Sequence, residues 1–346
     1  MRRFSLFAFL IVVTSFFGSA CVKRISIAEK LPVRAELSTD QLIDRINDYA
    51  EVKTYFSQGT LTVVNYFTSS NSKADQYPQA TGLVWLQRPQ NIRMRVSFLG
   101  TDVTDMTTDG EKFRVAIYRP DDKRRFIYGS NLRKFDRMEV GEFKDSKDPR
   151  IEQAGGLVNM RPQHITEAFL VKPIVKDGHT GTFVEQVKAE ENLLEPGKKK
   201  RLVERTYYVL YVLERNDEGQ LKLRHKFWFD RTQENTPLVR QQIFENGGGK
   251  LTAEVSYGNW IQNPGSNTRW PLDVTIDRRE DGYRLRLQIE KDSLEINGDM
   301  TDTTFLLENT KGLKELNVDE NRDARAGQQL RAAPSENANR RRLSNE

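Results

Sequence analysis

The sequence is poor in the residues that build disulfides and metal sites. It contains a single cysteine, Cys21, so no disulfide can form within the chain. It contains three histidines, His164, His179 and His225, and none has a cysteine or second histidine at a spacing that would hold a metal. We therefore expect a domain stabilised by its apolar core alone, without a metal or a cofactor.

Motifs of known catalytic chemistry are missing too. There is no G-x-S-x-G nucleophile elbow. The glycines at Gly247–Gly249 precede the strand-like segment Leu251–Tyr257, whereas a phosphate-binding loop would lead into a helix. The formal net charge of +5 is too small to indicate nucleic-acid binding. We expect a protein that is not an enzyme and has no nucleic-acid partner.

The first twenty residues have the three parts of a signal peptide. Arg2 and Arg3 carry positive charge, residues 6–17 are almost wholly apolar, and small residues precede Cys21. This apolar stretch is shorter than the about 20 residues that a membrane-spanning helix needs. Residues 1–20 are therefore predicted to be a signal peptide, and no other segment of the sequence resembles a membrane span.

Two interpretations of the cleavage site compete. Gly18 and Ala20 fit ordinary secretion, which would leave a free thiol at the new N-terminus. The run Gly-Ser-Ala-Cys also resembles the bacterial lipobox, with Gly18 in place of the usual leucine. We favour the second interpretation because it explains the cysteine. It implies that Cys21 carries palmitate-type acyl chains, which anchor stably when about two are present. The sequence lacks an aspartate after Cys21, which by the same resemblance favours the outer membrane, facing the periplasm.

The chain after the cysteine divides into a tether, a β domain and a tail. Residues 21–37 form the tether, and Ser38 with Gln41 makes a capping box that starts a helix. Residues 38–310 are predicted to form one domain, a strongly curved antiparallel sheet that is an unclosed barrel covered by short helices, the second beginning at Pro162. Residues 311–346 are predicted to be a disordered tail. Strands are expected at 59–67, 81–86, 92–99, 112–118, 125–128, 206–214, 220–229, 238–245, 250–260, 273–279, 283–291 and 305–307.

Several strands alternate between apolar and basic residues. Because side chains alternate between the two faces of a strand, one face of the sheet should be apolar and the other basic and solvated. The predicted residues of the apolar face, with those of the first helix, are Leu42, Ile46, Tyr49, Met94, Val96, Phe98, Leu223, Phe227, Phe229, Leu285, Leu287 and Ile289. They either pack as a core filled by side chains or line a cavity for a lipid, and the sequence leaves both open.

Short motifs follow one another in an order that resembles a known superfamily. A capped helix leads into a Gly-Thr-Leu strand at 57–64, and an Arg-rich strand follows at 93–99. The later motifs are Thr107–Gly110, Phe227–Asp230, Thr236–Val239, Val255–Trp260 and Trp270-Pro271. This order, over roughly residues 38–308, is similar to that of the bacterial lipoprotein carriers and the outer-membrane lipoprotein receptor, the LolA/LolB-like superfamily.

The resemblance implies an unclosed barrel that holds acyl chains of lipids or lipoproteins. We therefore expect a membrane-anchored lipoprotein that binds such chains and serves lipid or lipoprotein localisation. The superfamily also includes envelope-stress sensors, so the alternative is a non-catalytic sensor or structural lipoprotein with a filled core and an envelope protein as its partner.

Overall fold

The computed structural model describes residues 27–66, 75–76, 79–119, 121, 124–131, 162–193, 197, 199–245, 249–262 and 269–320. Cys21, the predicted signal peptide and residues 321–346 of the predicted tail lie outside the described residues. In the part of the chain that the structure describes, no helix has the length and apolar character needed to cross a membrane.

The described chain is mainly β. Two helices are present, α1 at Thr39–Ala50 and α2 at Pro162–Phe169. The strands are β1 Glu29–Lys30, β2 Thr54–Asn65, β3 Asp75–Gln76, β4 Ala80–Gln87, β5 Asn91–Phe98, β6 Thr101–Thr108, β7 Lys112–Ile117, β8 Arg125–Ser130, β9 Thr180–Leu193, β10 Arg201–Arg215, β11 Leu221–Asp230, β12 Leu238–Phe244, β13 Leu251–Gln262, β14 Arg269–Arg278, β15 Tyr283–Ile289, β16 Glu295–Ile296 and β17 Glu315–Asn317.

All 17 strands belong to one sheet. Its neighbours run β9–β10–β11–β12–β13–β14–β15–β2–β4–β5–β6–β7–β8–β17, while β1, β3 and β16 are short additions to β10 and β2. Pairing is antiparallel except for β1 with β10 and β17 with β8. Among the described strands, β9 pairs only with β10 and β17 only with β8, so the sheet does not close. The predicted fold class is confirmed.

The two helices cover the concave face of this sheet. The predicted capping box of α1 is present, because the Ser38 side chain accepts from the Gln41 backbone and the Gln41 side chain accepts from Ser38. Helix α1 buries Leu42 and Ile46 in a cluster with residues of β10, β11 and β12. Helix α2 packs in a second cluster with residues of β2, β4 to β8 and β12 to β15.

Strand β6 was not predicted, and its burial explains why. Six consecutive residues, Val103–Thr108, are buried on both faces although most of them are polar. On one side Asp105 accepts hydrogen bonds from Arg93 and Arg95. The Thr107 hydroxyl reaches the carbonyls of Ile92 and Phe305, at 2.9 and 2.8 Å. A strand whose polar residues are satisfied by distant partners gives no apolar alternation in the sequence.

A β-bulge reverses one predicted side chain. Val212 pairs with His225 but Leu213 pairs with Leu223, so Arg224 is the extra residue on β11. Opposed residues share a face, which places Phe227 beside Leu210 in the core and Leu223 beside Leu213 on the convex face. Contrary to the prediction, Leu223 therefore does not point into the concave side.

The predicted ends of the domain need correction. Glu29–Lys30 pairs with β10, so part of the predicted tether belongs to the sheet. Leu313 is buried and Glu315–Asn317 pairs with β8, so the folded chain continues past the predicted boundary at 310. The segment predicted as a strand at 305–307 follows a 3₁₀ turn at Asp302–Phe305 instead.

The bulge predicts that two substitutions on β11 differ in their effect on stability. Phe227 is 1% exposed, and Phe227→Ala should lower the free energy of unfolding by about 3–5 kcal/mol through the cavity it creates. Leu223 is half-buried on the convex face, so Leu223→Ala should lower the free energy of unfolding by only about 1 kcal/mol. Urea denaturation of both variants checks this, and equal losses would contradict the assigned faces.

Candidate functional site

Side chains and helices largely fill the concave side. Two cavities among the described residues of this side have volumes of about 20 Å³ and 80 Å³. Pockets that hold drug-sized ligands have volumes of roughly 300–1,000 Å³. Neither of these cavities has room for an acyl chain, which would need side chains or a helix to move.

The smaller cavity, here called the aromatic crevice, lies where the two helices meet the sheet. Tyr49 at the end of α1 lies 6.4 Å from the Trp260 ring and 6.2 Å from the Trp270 ring, between centroids. Behind Trp270, Tyr55 and Phe169 continue the aromatic packing. The crevice is lined by Tyr49, Ala168, Phe169, Val171, Leu238, Tyr257, Trp260, Trp270 and Pro271. Its volume is close to that of one water molecule.

Most of the predicted lining residues are buried packing residues. Those of the cluster beneath α1 are Leu42, Ile46, Phe227 and Phe229. Those of the cluster beneath α2 are Met94, Val96, Leu285, Leu287 and Ile289. Tyr49 contacts both clusters and is the predicted residue that lines the crevice, whereas Phe98 is half-buried near the end of β5. Their role as cavity lining stays a prediction, and Cys21 lies outside the described residues.

Arg88, directly after β4, joins both helices to the sheet by hydrogen bonds. Its Nε donates to the Val52 carbonyl oxygen at 2.8 Å, and Nη2 donates to those of Tyr49 at 3.4 Å and Val171 at 2.9 Å. The Tyr49 carbonyl lies in the last turn of α1, and those of Val52 and Val171 lie two residues after the ends of α1 and α2, where backbone oxygens lack helical partners. Burial lowers the pKa of the Arg88 guanidinium. Its charge is thus balanced by carbonyl dipoles.

The larger cavity, here called the polar cavity, lies on the other side of α2. Its lining is Pro89, Gln90, Thr108, Gly110, Gln163, Thr166, Glu167, Leu170, Lys172, Arg224, His225, Gln241 and Ile243. At about 80 Å³ it has room for several water molecules. The sequence analysis missed this site because its polar and charged residues come from α2 and the segment after it, β11 and β12, far apart in the chain.

Two ionisable groups of the polar cavity are shifted in ways that favour their neutral forms. Burial raises the pKa of the Glu167 carboxyl, although the positive charges of Arg278, Lys172 and Arg224 oppose the shift. Burial, helped by the charges of Arg224 and Lys172, lowers the pKa of His225 to about 4.

A chain of hydrogen bonds connects His225 with α2. Gln241 Nε2 lies 3.3 Å from His225 Nδ1, and an amide nitrogen can only donate, so Nδ1 accepts. The Tyr257 hydroxyl lies 2.8 Å from Gln241 Oε1 and 2.7 Å from the Ala168 carbonyl oxygen. Gln241 lines the polar cavity and Tyr257 the aromatic crevice, so this chain separates the two.

The basic convex face predicted from the strand pattern is largely neutralised. Arg93 and Arg95 share the buried carboxylate of Asp105. Arg284 pairs with Asp277, and Arg286 pairs with Asp273. These acids stand on neighbouring strands, directly or diagonally opposite the arginines, which the sequence of one strand cannot reveal.

A second feature missed by the sequence analysis is Leu99. It is 89% exposed at the tip of the β5–β6 hairpin. Leu99 and Gly100 have φ values of 47° and 75°, as a two-residue type I′ turn requires. Asn-Gly is the preferred pair in such turns, and leucine is strained there. Leu99 is therefore both exposed and in a backbone conformation that is unfavourable for leucine.

Among the described residues, no group of three or more His, Asp, Glu or Cys side chains is arranged to hold a metal ion.

The His225 environment predicts a specific loss of stability in acid. Between about pH 6.5 and pH 4, His225 binds a proton in the unfolded chain but stays neutral in the folded chain. The free energy of unfolding therefore falls as the pH falls. The loss from pH 7 to pH 5 should be about 2 kcal/mol. Glu167 acts in the opposite direction, because its raised pKa makes the folded state lose stability as the pH rises.

Urea denaturation of the wild type and of His225→Gln at pH 7 and pH 5 separates the two groups. The variant keeps an acceptor for Gln241 but cannot bind a proton, so its loss in acid should be smaller by about 2 kcal/mol. An unchanged pH dependence would show that His225 is not held neutral by the fold.

Comparison with known proteins gives structural likeness only. No protein-family model and no curated protein matches the sequence. The chain is similar to a LolA superfamily protein from Nitrosomonas europaea at 9% identity, covering 79% of this chain and 99% of that one, with a TM-score of 0.39. It is similar to a putative outer membrane lipoprotein-sorting protein domain from Vibrio parahaemolyticus at 8% identity, covering 77% and 95%, with a TM-score of 0.39. It is also similar to a DUF1329 family protein from Desulfovibrio piger at 9% identity, covering 80% and 97%, with a TM-score of 0.40.

Proposed function

We propose that the protein is a lipid-anchored lipoprotein of the bacterial outer membrane that binds acyl chains of lipids or lipoproteins on the concave side of its sheet. The observation that carries this proposal is that an apolar crevice and a polar cavity lie on the two sides of α2, separated by this helix and by the hydrogen bonds of Tyr257 with Gln241 and Ala168. Ala168 and Phe169 face the crevice, while Thr166 and Glu167 face the polar cavity. Displacement of α2 would join them into a space with one apolar and one polar end, which suits an amphipathic lipid.

The Arg88 contacts support opening of this side. Helix α1 is also joined to the segment after α2, because Asn47 exchanges two hydrogen bonds with the backbone of Ile174, at 2.8 and 3.3 Å. The ends of both helices are thus held together, and the Arg88 guanidinium joins them to the sheet together with the Tyr257 hydroxyl, which lies 2.7 Å from the Ala168 carbonyl oxygen. Hydrogen bonds of this kind each contribute about 1.5–3 kcal/mol when one partner is charged, so the connection can be broken without unfolding the sheet.

Removal of the Arg88 guanidinium should loosen the helices. In Arg88→Met the three carbonyls lose their donor, and we expect faster amide hydrogen exchange in α1 and faster uptake of a fluorescent fatty acid. Hydrogen exchange and stopped-flow fluorescence measure the two effects. Arg124→Met, at an exposed arginine, is the matched control and should change neither rate. Uptake that is absent in both the wild type and Arg88→Met would contradict acyl binding.

The anchor is tested separately at Cys21. Cys21→Ser removes the only thiol that can be acylated, so the protein should move from the membrane fraction to the periplasmic fraction. Fractionation of cells followed by mass spectrometry of the N-terminal peptide checks this. Membrane association that survives the substitution would exclude lipid at Cys21 as the anchor.

A second function is favoured by the small cavities together with Leu99. On this hypothesis the core stays filled, and the protein is a structural or sensor lipoprotein that contacts an envelope protein through the β5–β6 hairpin. The exposure of Leu99 and its strained φ are the observations behind it.

The second function predicts that one substitution raises the stability of the protein and abolishes its contact with the partner. Leu99→Asn should raise the free energy of unfolding by about 1 kcal/mol, because asparagine tolerates the left-handed conformation. The same substitution should abolish photo-crosslinking of the hairpin to its partner in intact cells. Denaturation and crosslinking from a probe at Thr101 measure the two effects, with a probe at Glu111 as the control site. Crosslinking that is unchanged by Leu99→Asn would remove the support for this function.

A further inference from the structure

The segment that precedes α1 is fastened to the sheet. We call residues 29–37 the strap. Its Leu31 amide donates to the Glu204 carbonyl at 3.1 Å, and its Arg34 amide donates to the Arg231 carbonyl at 2.9 Å. Arg34 Nε reaches the Thr232 carbonyl at 3.2 Å, and the Leu37 amide reaches the Tyr208 hydroxyl at 3.3 Å. These bonds hold the strap against β10 and the turn after β11.

A buried arginine reinforces the strap. Arg231 is 4% exposed and stacks on the Tyr208 ring, with its guanidinium carbon 4.3 Å from the ring centroid. Its Nε donates to the Ala35 carbonyl at 3.4 Å, and its Nη1 donates to Gln186 at 2.8 Å. Because the ring of Tyr208 and these hydrogen bonds hold the Arg231 side chain, its bond to Ala35 fixes the strap in one position relative to the sheet.

The strap and the aromatic crevice lie at the same end of neighbouring strands. The strap meets β10 near its first residue and β11 at its last. Because the pairing from β10 to β14 is antiparallel, this end also holds the start of β12, the end of β13 and the start of β14. The crevice residues Leu238, Trp260 and Trp270 stand at these positions. We call this end the strap end and the opposite one, with the turn at 216–219, the distal end.

The length of chain outside the structure limits how far the strap end can be from an anchor at Cys21. Eight Cα–Cα steps separate Cys21 from Glu29, and at up to about 3.6 Å each they span at most about 29 Å. If the strap were free, sixteen steps to Leu37 would span about twice that distance. The distal end lies a further 36 Å or so along β10, at about 3.3 Å per residue.

We propose that the strap orients the domain so that the strap end, with the aromatic crevice, faces the lipid bilayer that carries the anchor. This inference rests on the proposed anchoring and acyl binding. The occupant of this surface is the bilayer itself, and the ligand is an acyl chain exchanged with that same bilayer. Trp260, half-buried at the crevice, is of the residue type that is enriched at membrane–water interfaces.

Two exposed glutamates at opposite ends of β11 allow a matched test. Glu218 lies in the distal turn and Glu234 in the turn at the strap end, where its exposed ion pair with Arg34 of the strap, at 3.5 Å, contributes at most about 1 kcal/mol. Each is replaced in turn by a fluorophore-bearing azidophenylalanine in the chain that begins at Cys21. The single thiol of Cys21 is then coupled to a maleimide lipid in phosphatidylethanolamine and phosphatidylglycerol vesicles that contain a headgroup-linked quencher.

We expect the label at Glu234→azidophenylalanine to be quenched several-fold more strongly than the label at Glu218→azidophenylalanine. Equal quenching, or stronger quenching at 218, would overturn the proposed orientation. Insertion of a Gly-Ser linker of about 20 residues after Arg24 lengthens the tether by a root-mean-square distance of about 25 Å and should remove the difference. A difference that survives the linker would overturn the role of the strap.

The test separates this inference from the proposed function. Chemical coupling supplies the anchor whether or not cells acylate Cys21. Uptake of a fluorescent fatty acid by the uncoupled chain reports acyl binding alone. Equal quenching of the two labels with normal fatty-acid uptake would overturn the orientation only. Stronger quenching of the label at 234 without fatty-acid uptake would overturn acyl binding only.

Discussion

The Arg88 guanidinium donates hydrogen bonds to backbone carbonyl oxygens that would otherwise lack a partner at the ends of two helices. Helices α1 and α2 both end over the rim of the sheet, and the last carbonyls of a helix need donors from elsewhere. Arg88 supplies them to Tyr49, Val52 and Val171 from a single side chain. These contacts act together with the apolar clusters beneath the helices and the Tyr257–Ala168 hydrogen bond to position both helices between the two cavities. Because the partners are backbone atoms, substitutions in the helices themselves would leave this connection intact.

The parts of the fold that the sequence predicts are those governed by local periodicity. The capping box at Ser38 and Gln41 uses residues three apart, and the alternation of Met94 and Val96 or of Leu285 and Leu287 lies within one strand. Periodicity fails at a bulge. One extra residue at Arg224 moves the Leu223 side chain to the other face of the sheet without changing the pattern of the sequence.

The candidate site was less predictable because its contacts join distant segments. Arg88 meets carbonyls 36, 39 and 83 residues away. The buried polar residues of β6 give no apolar pattern, and their partners come from other strands and from the segment around Phe305. A local sign of the polar cavity is the i, i+4 pair Gln163 and Glu167, which lies with Thr166 on the side of α2 that lines it.

The filled core determines the direction in which an acyl chain would move. Opening α2 exposes Ile165, Phe169 and Leu170, which at about 1.5–3 kcal/mol each is a cost of about 5–9 kcal/mol. A chain of about fourteen methylenes arriving from water contributes about 11 kcal/mol, which offsets this cost. A chain already in a bilayer gains almost nothing, because lipid tails are as apolar as the core. For the acyl binding proposed above, repacking of α2 would therefore favour release of the chain into a membrane.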